Sequence, residues 1–264
     1  MTGVGMMDCK KALTEAKGDL SAAVDILRKK GRATAAVKSA REAKEGAITQ
    51  YIAPGGKLGV LLEVNSESDF VARNELFRAF CEEAAKRLAA DANASLETER
   101  EALVAKIREN IKIARYARME VKGNGLIAGY IHTGAKVGVL VEVGAGKAET
   151  VAKDEFKQLV KDITLQIAAG HPHVVSREQV PANVVAKEKE IAAEQVKNKP
   201  PQAIAKIVEG KLEKFYQAYC LVDQGFVKRN SEVSLKEHAA QIAKQLGDEI
   251  TIRRFVRFQV GESA

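Results

Sequence analysis

A stretch of nineteen residues occurs twice in this chain. Residues 46–64 and 125–143 align at a constant offset of 79, and eleven of the nineteen positions are identical. The matched pairs are Gly46/Gly125, Ile48/Ile127, Tyr51/Tyr130, Ile52/Ile131, Gly55/Gly134, Lys57/Lys136, Gly59/Gly138, Val60/Val139, Leu61/Leu140, Glu63/Glu142 and Val64/Val143. Unrelated residues agree at about one position in twenty, so this is an internal duplication. Each copy reads strand, turn, strand. In the first, Ile48, Tyr51 and Ile52 are strand formers. Pro54-Gly55-Gly56-Lys57 is a turn, because proline presets φ and glycine accepts a positive φ. Leu58 to Val64 then runs largely apolar. A helix follows each copy, at Asn74-Glu75-Leu76-Phe77 and at Asp154-Glu155-Phe156. Two copies are too few for a solenoid. They predict two similar subdomains that pack together.

The flanking segments read mainly as helices. Met6, Met7, Lys10, Leu13 and Thr14 keep a helical spacing that Gly18 ends. Asp19 is an N-cap, Leu20, Ala23, Val24 and Leu27 mark one face, and Gly31 is expected to close the second helix. Two short helices bury too little alone, which points to a truncated or misassigned start before this module. A long helix with Phe77, Phe80, Cys81, Ala84 and Leu88 on one side is also predicted, and further helices at 98–109, 182–198, 201–219 and 234–246. Residues 111–121 read as extended, with a tight turn at Gly123-Asn124-Gly125. A last strand from Glu249 to Val260 is expected to return to the second sheet. The fold class is therefore α+β. A small helical module (1–31) and a basic linker (32–45) precede a first core subdomain (46–124). A second core subdomain (125–181 and 220–264) carries a protruding antiparallel helical hairpin (182–219). The apolar stripe of that hairpin is expected to meet a partner.

Charge and composition narrow the function. Of the net +7, +6 lies between Arg28 and Lys44, where seven basic residues face only Glu42. That run reads either as an electrostatic footprint for RNA or an acidic partner, or as a solvated linker. Three widely spaced cysteines make neither a disulfide framework nor a zinc site, which favours a reducing cytoplasm. No apolar run approaches the ~18 residues of a membrane span. There is no tryptophan, and aromatics are 5% of the chain, which argues against base-stacking platforms. Nucleophile elbows, phosphate-binding loops and paired-histidine motifs are missing. His171 and His173 flank a proline in a breaker and make a weak metal pair. No enzyme activity, cofactor or metal of the chain's own is expected.

One connection differs between the copies. After Val64 the first copy continues Asn65-Ser66-Glu67-Ser68-Asp69-Phe70-Val71-Ala72-Arg73, whereas the second has Gly144-Ala145-Gly146-Lys147. The duplication kept the scaffold and let this corner diverge, which gives the first copy a task of its own. In a purely structural reading, Ser68 or Asp69 caps a helix and Phe70 tucks into the core.

The sequences Gly5-Met6-Met7-Asp8-Cys9-Lys10-Lys11-Ala12-Leu13 and Ser68-Asp69-Phe70-Val71-Ala72 resemble the signatures of the bacterial elongation factor Ts family. The likeness continues in order through Ala102 to Ile107, Gly138 to Val141, Ile167 to Ala169 and Gly225 to Lys228. It implies a guanine-nucleotide exchange factor for elongation factor Tu, with a ubiquitin-associated-like N-terminal module, a duplicated core and a helical hairpin. The resemblance places Ser68, Asp69, Phe70 and Val71 at the exchange element, which enters the GTPase domain of Tu near its magnesium. It makes Met6 and Met7 contacts to the same domain. It assigns Gln166, Phe226 and Val227 to partner binding, the last two to a more distant domain of Tu. Ser68 replaces the family's usual Thr and keeps the hydroxyl, and Gln166 stands where some members carry His. The family's first helix has no counterpart before Thr2. A C-terminal extension found in some members has none after Glu262. The pI of about 9.2 is high for the family. The hairpin leaves a Tu–Ts heterodimer, a heterotetramer and a homodimer open. The alternative to exchange is an RNA- or ribosome-binding translation protein acting through residues 28–44.

Overall fold

The computed structural model describes residues 4–198 and 200–262. The predicted start at Met1 and Thr2, and Lys199 between the two predicted hairpin helices, lie outside the described residues. The elements in chain order are α1 (Met6–Glu15), α2 (Leu20–Lys38), β1 (Glu45–Ile52), β2 (Leu58–Ser66), α3 (Asp69–Ala72), α4 (Glu75–Ala90), α5 (Glu97–Ile107) and β3 (Lys112–Glu120). There follow β4 (Gly125–Ile131), β5 (Val137–Ala145), α6 (Ala148–Ala152), α7 (Asp154–Gly170), α8 (Ala182–Glu194), α9 (Pro201–Tyr219), α10 (Leu235–Leu246) and β6 (Ile250–Gln259). The chain is a mixed fold of helices and antiparallel sheet.

The duplicated unit makes two three-stranded antiparallel sheets, ordered β1-β2-β3 and β4-β5-β6. Each has a hairpin plus a third strand that returns after helices. The sheets lie back to back with helices outside. On β2 the alternation is strict: Val60, Leu62 and Val64 face Phe77, Ala84 and Leu88 of α4 and Val104 of α5. Leu61 points the other way and meets Ile48, Met119, Ile127, Leu140 and Phe258 between the sheets. On β5, Val139, Val141 and Val143 face Phe156, Ile163 and Ile167 of α7 and Leu235 of α10. Both faces of the central strands are therefore covered, which explains their near-continuous apolar runs.

The identities between the copies cluster where the copies touch. A Cβ on Gly59 would lie 2.6 Å from Ile127 Cγ2, and one on Gly138 would lie 2.5 Å from Ile48 Cγ2. Hydrogen bonds cross in the same reciprocal way. The Ile48 amide donates to the Ala135 carbonyl at 2.8 Å, and the Ile127 amide to the Gly56 carbonyl at 2.7 Å. The Glu63 carboxylate, 2% exposed, accepts from Arg115 Nε at 2.8 Å, and Glu142, 3% exposed, accepts from Arg254 Nε at 2.7 Å. Each arginine also reaches the opposite sheet, Arg115 to the Gln259 carbonyl and Arg254 to the Glu120 carbonyl. Both buried acids are thus paired and hydrogen-bonded, the condition under which a charge is tolerated in a core.

The predicted end of α2 at Gly31 is corrected: the helix runs on to Lys38. The first half of the expected linker 32–45 is therefore helical. The glycine serves close packing instead of termination. A Cβ there would sit 3.4 Å from Ala105 Cβ on α5, and Ala35, one turn on, is buried. α1 and α2 share a small core of Ala12, Ala23 and Leu27, and the Asp19 carboxylate accepts from the Ala22 amide at 3.0 Å as predicted. α8 and α9 pack on each other. Their base is fixed by Arg177, which hydrogen-bonds Glu213 of α9 at 2.8 Å and Asp223 at 3.0 Å.

Candidate functional site

The corner after β2 carries an exposed aromatic on a fixed base. Ser68 ends the extended backbone and caps α3, its hydroxyl accepting from the Val71 amide at 3.5 Å. Glu109 accepts from the Ser68 amide at 2.9 Å and from its hydroxyl at 2.7 Å. The Ser66 hydroxyl donates to the Ser68 carbonyl at 2.9 Å. Glu67 accepts from the Asn110 amide at 2.6 Å and pairs with Arg41 at 3.3 Å. The Asn110 amide, with Arg41 behind it, holds the Glu67 carboxyl below the usual carboxylate range. Inward, Ala72 is buried and Val71 packs on the first core. Outward, Phe70 is 80% exposed. The expectation of a cap at Ser68 holds, whereas a Phe70 tucked into the core does not occur. A single helical turn cannot direct two successive side chains to one face, and Val71 takes the inward place. Asp69 accepts from Arg73 Nη2 at 2.9 Å across the turn, and Leu76 on the first turn of α4 is half-exposed beside this region.

The second copy keeps the corner without the aromatic. At the offset of 79, Lys147 replaces Ser68, Ala148 replaces Asp69 and Glu149 replaces Phe70. The turn persists as α6. Only the first copy therefore offers a ring to solvent here.

The remaining predicted residues divide by burial. Met6 and Met7 are 86% and 63% exposed at the start of α1. The next residue, Asp8, is held by Arg108 at 2.7 Å. Gln166 and Phe226, expected at a contact surface, are interior instead, at 1% and 2% exposure. Gln166 donates to Gln224 Oε1 at 3.0 Å and to the Gly225 carbonyl at 3.2 Å, and accepts from the Val227 amide at 2.9 Å. Phe226 stacks on His238 with ring centroids 4.3 Å apart. A buried amide must satisfy its hydrogen-bonding groups, and this one does so by pinning the 224–227 loop to α7. Val227 alone of the three is open, at 41% exposure.

Sequence reasoning missed Glu67, Arg108, Glu109 and Asn110, which build the base of the corner. It also read the basic run as more naked than it is. Arg28 pairs with Asp25, Arg32 with Glu101, Arg41 with Glu67 and Lys44 with Glu42. Four of the seven cations thus sit against acids, which weakens the RNA reading. Among the described residues, no three His, Cys, Asp or Glu side chains group as metal ligands. None of their helices is long and apolar enough to cross a membrane.

The α3 corner is thus a braced turn that holds an aromatic ring in water. The family model described as Elongation factor TS matches residues 67–262. Proteins named Elongation factor Ts are similar over nearly the whole chain. That of Clostridioides difficile is 44% identical, covering 99% of this chain and 89% of its own. That of Symbiobacterium thermophilum is 43% identical, covering 99% and 88%, and that of Trichlorobacter lovleyi 39%, covering 99% and 89%. The chain belongs to the elongation factor Ts family, the guanine-nucleotide exchange factors of elongation factor Tu in translation elongation.

Proposed function

We propose that the α3 corner is the exchange element. Phe70 enters the GTPase domain of elongation factor Tu and, with Asp69, disturbs the magnesium and phosphate site that retains GDP. GTP then rebinds to the emptied site. The observation that carries this reading is the 80% exposure of Phe70 on a turn whose base is tied down by Ser68, Glu109 and Asn110. Exchange requires the factor to bind nucleotide-free Tu more tightly than nucleotide-bound Tu. A ring kept in water gains roughly 1.5–3 kcal/mol on burial by a partner. If that burial is complete only once the nucleotide site opens, it accelerates release about tenfold to a hundredfold. Asp69 brings a negative charge where phosphate is held. Its surface pair with Arg73 is the kind that contributes little, so Asp69 is free to exchange partners. Moving the magnesium weakens the largest local charge on the β-phosphate.

The other contacts support binding more than release. Met6 and Met7 are adaptable thioethers that meet the same GTPase domain. Val227 meets a more distant domain, with Gln166 and Phe226 fixing its loop from beneath. The α1–α2 unit serves as the ubiquitin-associated-like module. The α8–α9 hairpin serves assembly, whether as a heterotetramer or a homodimer. The described side chains of α9 all stay short of full burial, which supports that use.

The test is release of a fluorescent GDP analogue from Tu by stopped flow at moderate salt, across a range of factor concentrations. Asp69→Ala and Phe70→Ala are expected to lower the plateau rate. Met6→Ala with Met7→Ala is expected to raise the half-saturating concentration and spare the plateau. Wild-type plateaus in both corner variants would overturn the assignment.

A further inference from the structure

The three residues after α5 fasten separate parts of the molecule. Arg108 adopts a left-handed φ of 63°, and its guanidinium holds Asp8 beside Met6 and Met7. Glu109 takes both the amide and the hydroxyl of Ser68. Asn110 donates its amide to Glu67 and its side chain to the Arg41 carbonyl at 2.7 Å. One short connection thus grips α1, the segment after α2 and the base of α3.

The second copy uses the same device. β2–β3 and β5–β6 pair in equivalent registers, with Gly59 opposite Met119 and Gly138 opposite Phe258. In that frame Asp248 stands before β6 as Glu109 stands before β3. The Asp248 carboxylate accepts from the Lys147 amide at 2.9 Å, and Lys147 occupies the place of Ser68. A carboxylate ahead of the third strand therefore braces the corner in both halves. Only in the first half does the braced turn carry an exposed aromatic.

We propose that Glu109 is a positioning residue for nucleotide exchange. It fixes the α3 turn so that Phe70 is presented in one orientation relative to the Met6–Met7 surface that Arg108 holds. The proposal rests on the reading of Phe70 as the exchange element. Charge-assisted hydrogen bonds are the strong ones, and two of them converge on one residue. Their loss frees a four-residue helical turn that is too short to hold itself. A mobile Phe70 must be ordered again during release, so the cost falls on the plateau rate more than on affinity.

The experiment measures plateau and half-saturating concentration for release of fluorescent GDP from Tu with the full-length factor. Glu109→Ala is expected to lower the plateau about tenfold and to move the half-saturating concentration less. Glu109→Gln retains an acceptor and a donor toward Ser68 and is expected to restore most of the plateau. Asp248→Ala removes the equivalent brace from the half without the aromatic and is expected to leave the plateau within about twofold. Glu109→Ala added to Phe70→Ala is expected to cost nothing further, because the residue acts through the ring. The chain has no tryptophan, so Phe70→Trp supplies a single reporter. Its fluorescence anisotropy is expected to fall when Glu109→Ala is added. A wild-type plateau for Glu109→Ala alongside a slow Phe70→Ala overturns the proposal and leaves the exchange-element reading intact. Multiplying effects in the double variant, or unchanged anisotropy, overturn it as well. A wild-type plateau for Phe70→Ala removes the reading and the proposal together.

Discussion

Gly59→Ala is the smallest change that tests how the two repeats fit together. The added methyl would lie 2.6 Å from Ile127 Cγ2, 2.9 Å from Ile52 Cδ1 and 3.0 Å from Leu140 Cδ1. Ile127 and Leu140 are fully buried between the sheets. Cγ2 can move only by rotation about χ1, which is restricted in a β-branched side chain and here would swing another branch into packed surroundings. Overpacking of this kind costs roughly 1–3 kcal/mol. Replacing glycine also restricts the unfolded chain, which returns about 0.4–1 kcal/mol where the backbone is compatible. The net is a loss of about 1–2 kcal/mol. For a chain of this size that lowers Tm by ~2–8 °C. Gly138→Ala should cost the same, since its methyl meets Ile48 Cγ2 at 2.5 Å and both Ile131 and Leu61 at 3.0 Å. Gly210→Ala, on α9 with nothing within 4 Å, should instead stabilise by about 0.5–1 kcal/mol. Urea unfolding followed by circular dichroism reads all three, with m unchanged. Wild-type stability in Gly59→Ala, or opposite signs for the two strand glycines, would refute the reciprocal packing.

Two further outcomes follow from buried titratable groups. Burial pushes the Cys81 thiol up to about 12 and the Cys220 thiol up to about 11, with Glu82 and Asp223 adding to the respective shifts. Neither should react with a thiol-specific reagent at pH 8 until the protein unfolds, and rapid native labelling of either would contradict their placement. Burial also holds the His238 imidazole below the usual histidine range; Asp162 opposes the shift and Arg229 adds to it. The fold prefers the neutral ring. Its stability contribution is therefore full above the unfolded value of ~6.5 and is lost as pH falls toward the lower folded value. His171 is shifted the same way, chiefly by burial. His238→Gln should reduce, without abolishing, the loss of stability as pH falls below about 6.5. An unchanged slope in denaturant titrations would contradict the assignment.

The duplicated strands were legible because their identities mark the surface where each copy meets the other. Gly59 and Leu61 must each suit a partner that is itself part of a copy, so both members of each pair are held alike. The second helix was misjudged because Gly31 looks the same in sequence whether it ends a helix or lets one approach α5 closely. The spacing of Gly31 and Ala35, four residues apart on one helical face, was the signal for close packing. Glu109 was invisible for a different reason. An acid after a helix has no local mark of its use, and its partner Ser68 lies forty-one residues earlier. For Gln166 and Phe226 the resemblance implies partner binding, and nothing in the local sequence marks them as interior. Only the tertiary contacts show that they support Val227 from within.

Release of a fluorescent GDP analogue from elongation factor Tu, at saturating factor, should be at least tenfold slower with Phe70→Ala than with the unaltered chain. The variant should lose no stability, since the ring is exposed. An unaltered plateau rate in a folded Phe70→Ala protein would show that the exposed ring does not drive release, and the exchange element would have to lie elsewhere.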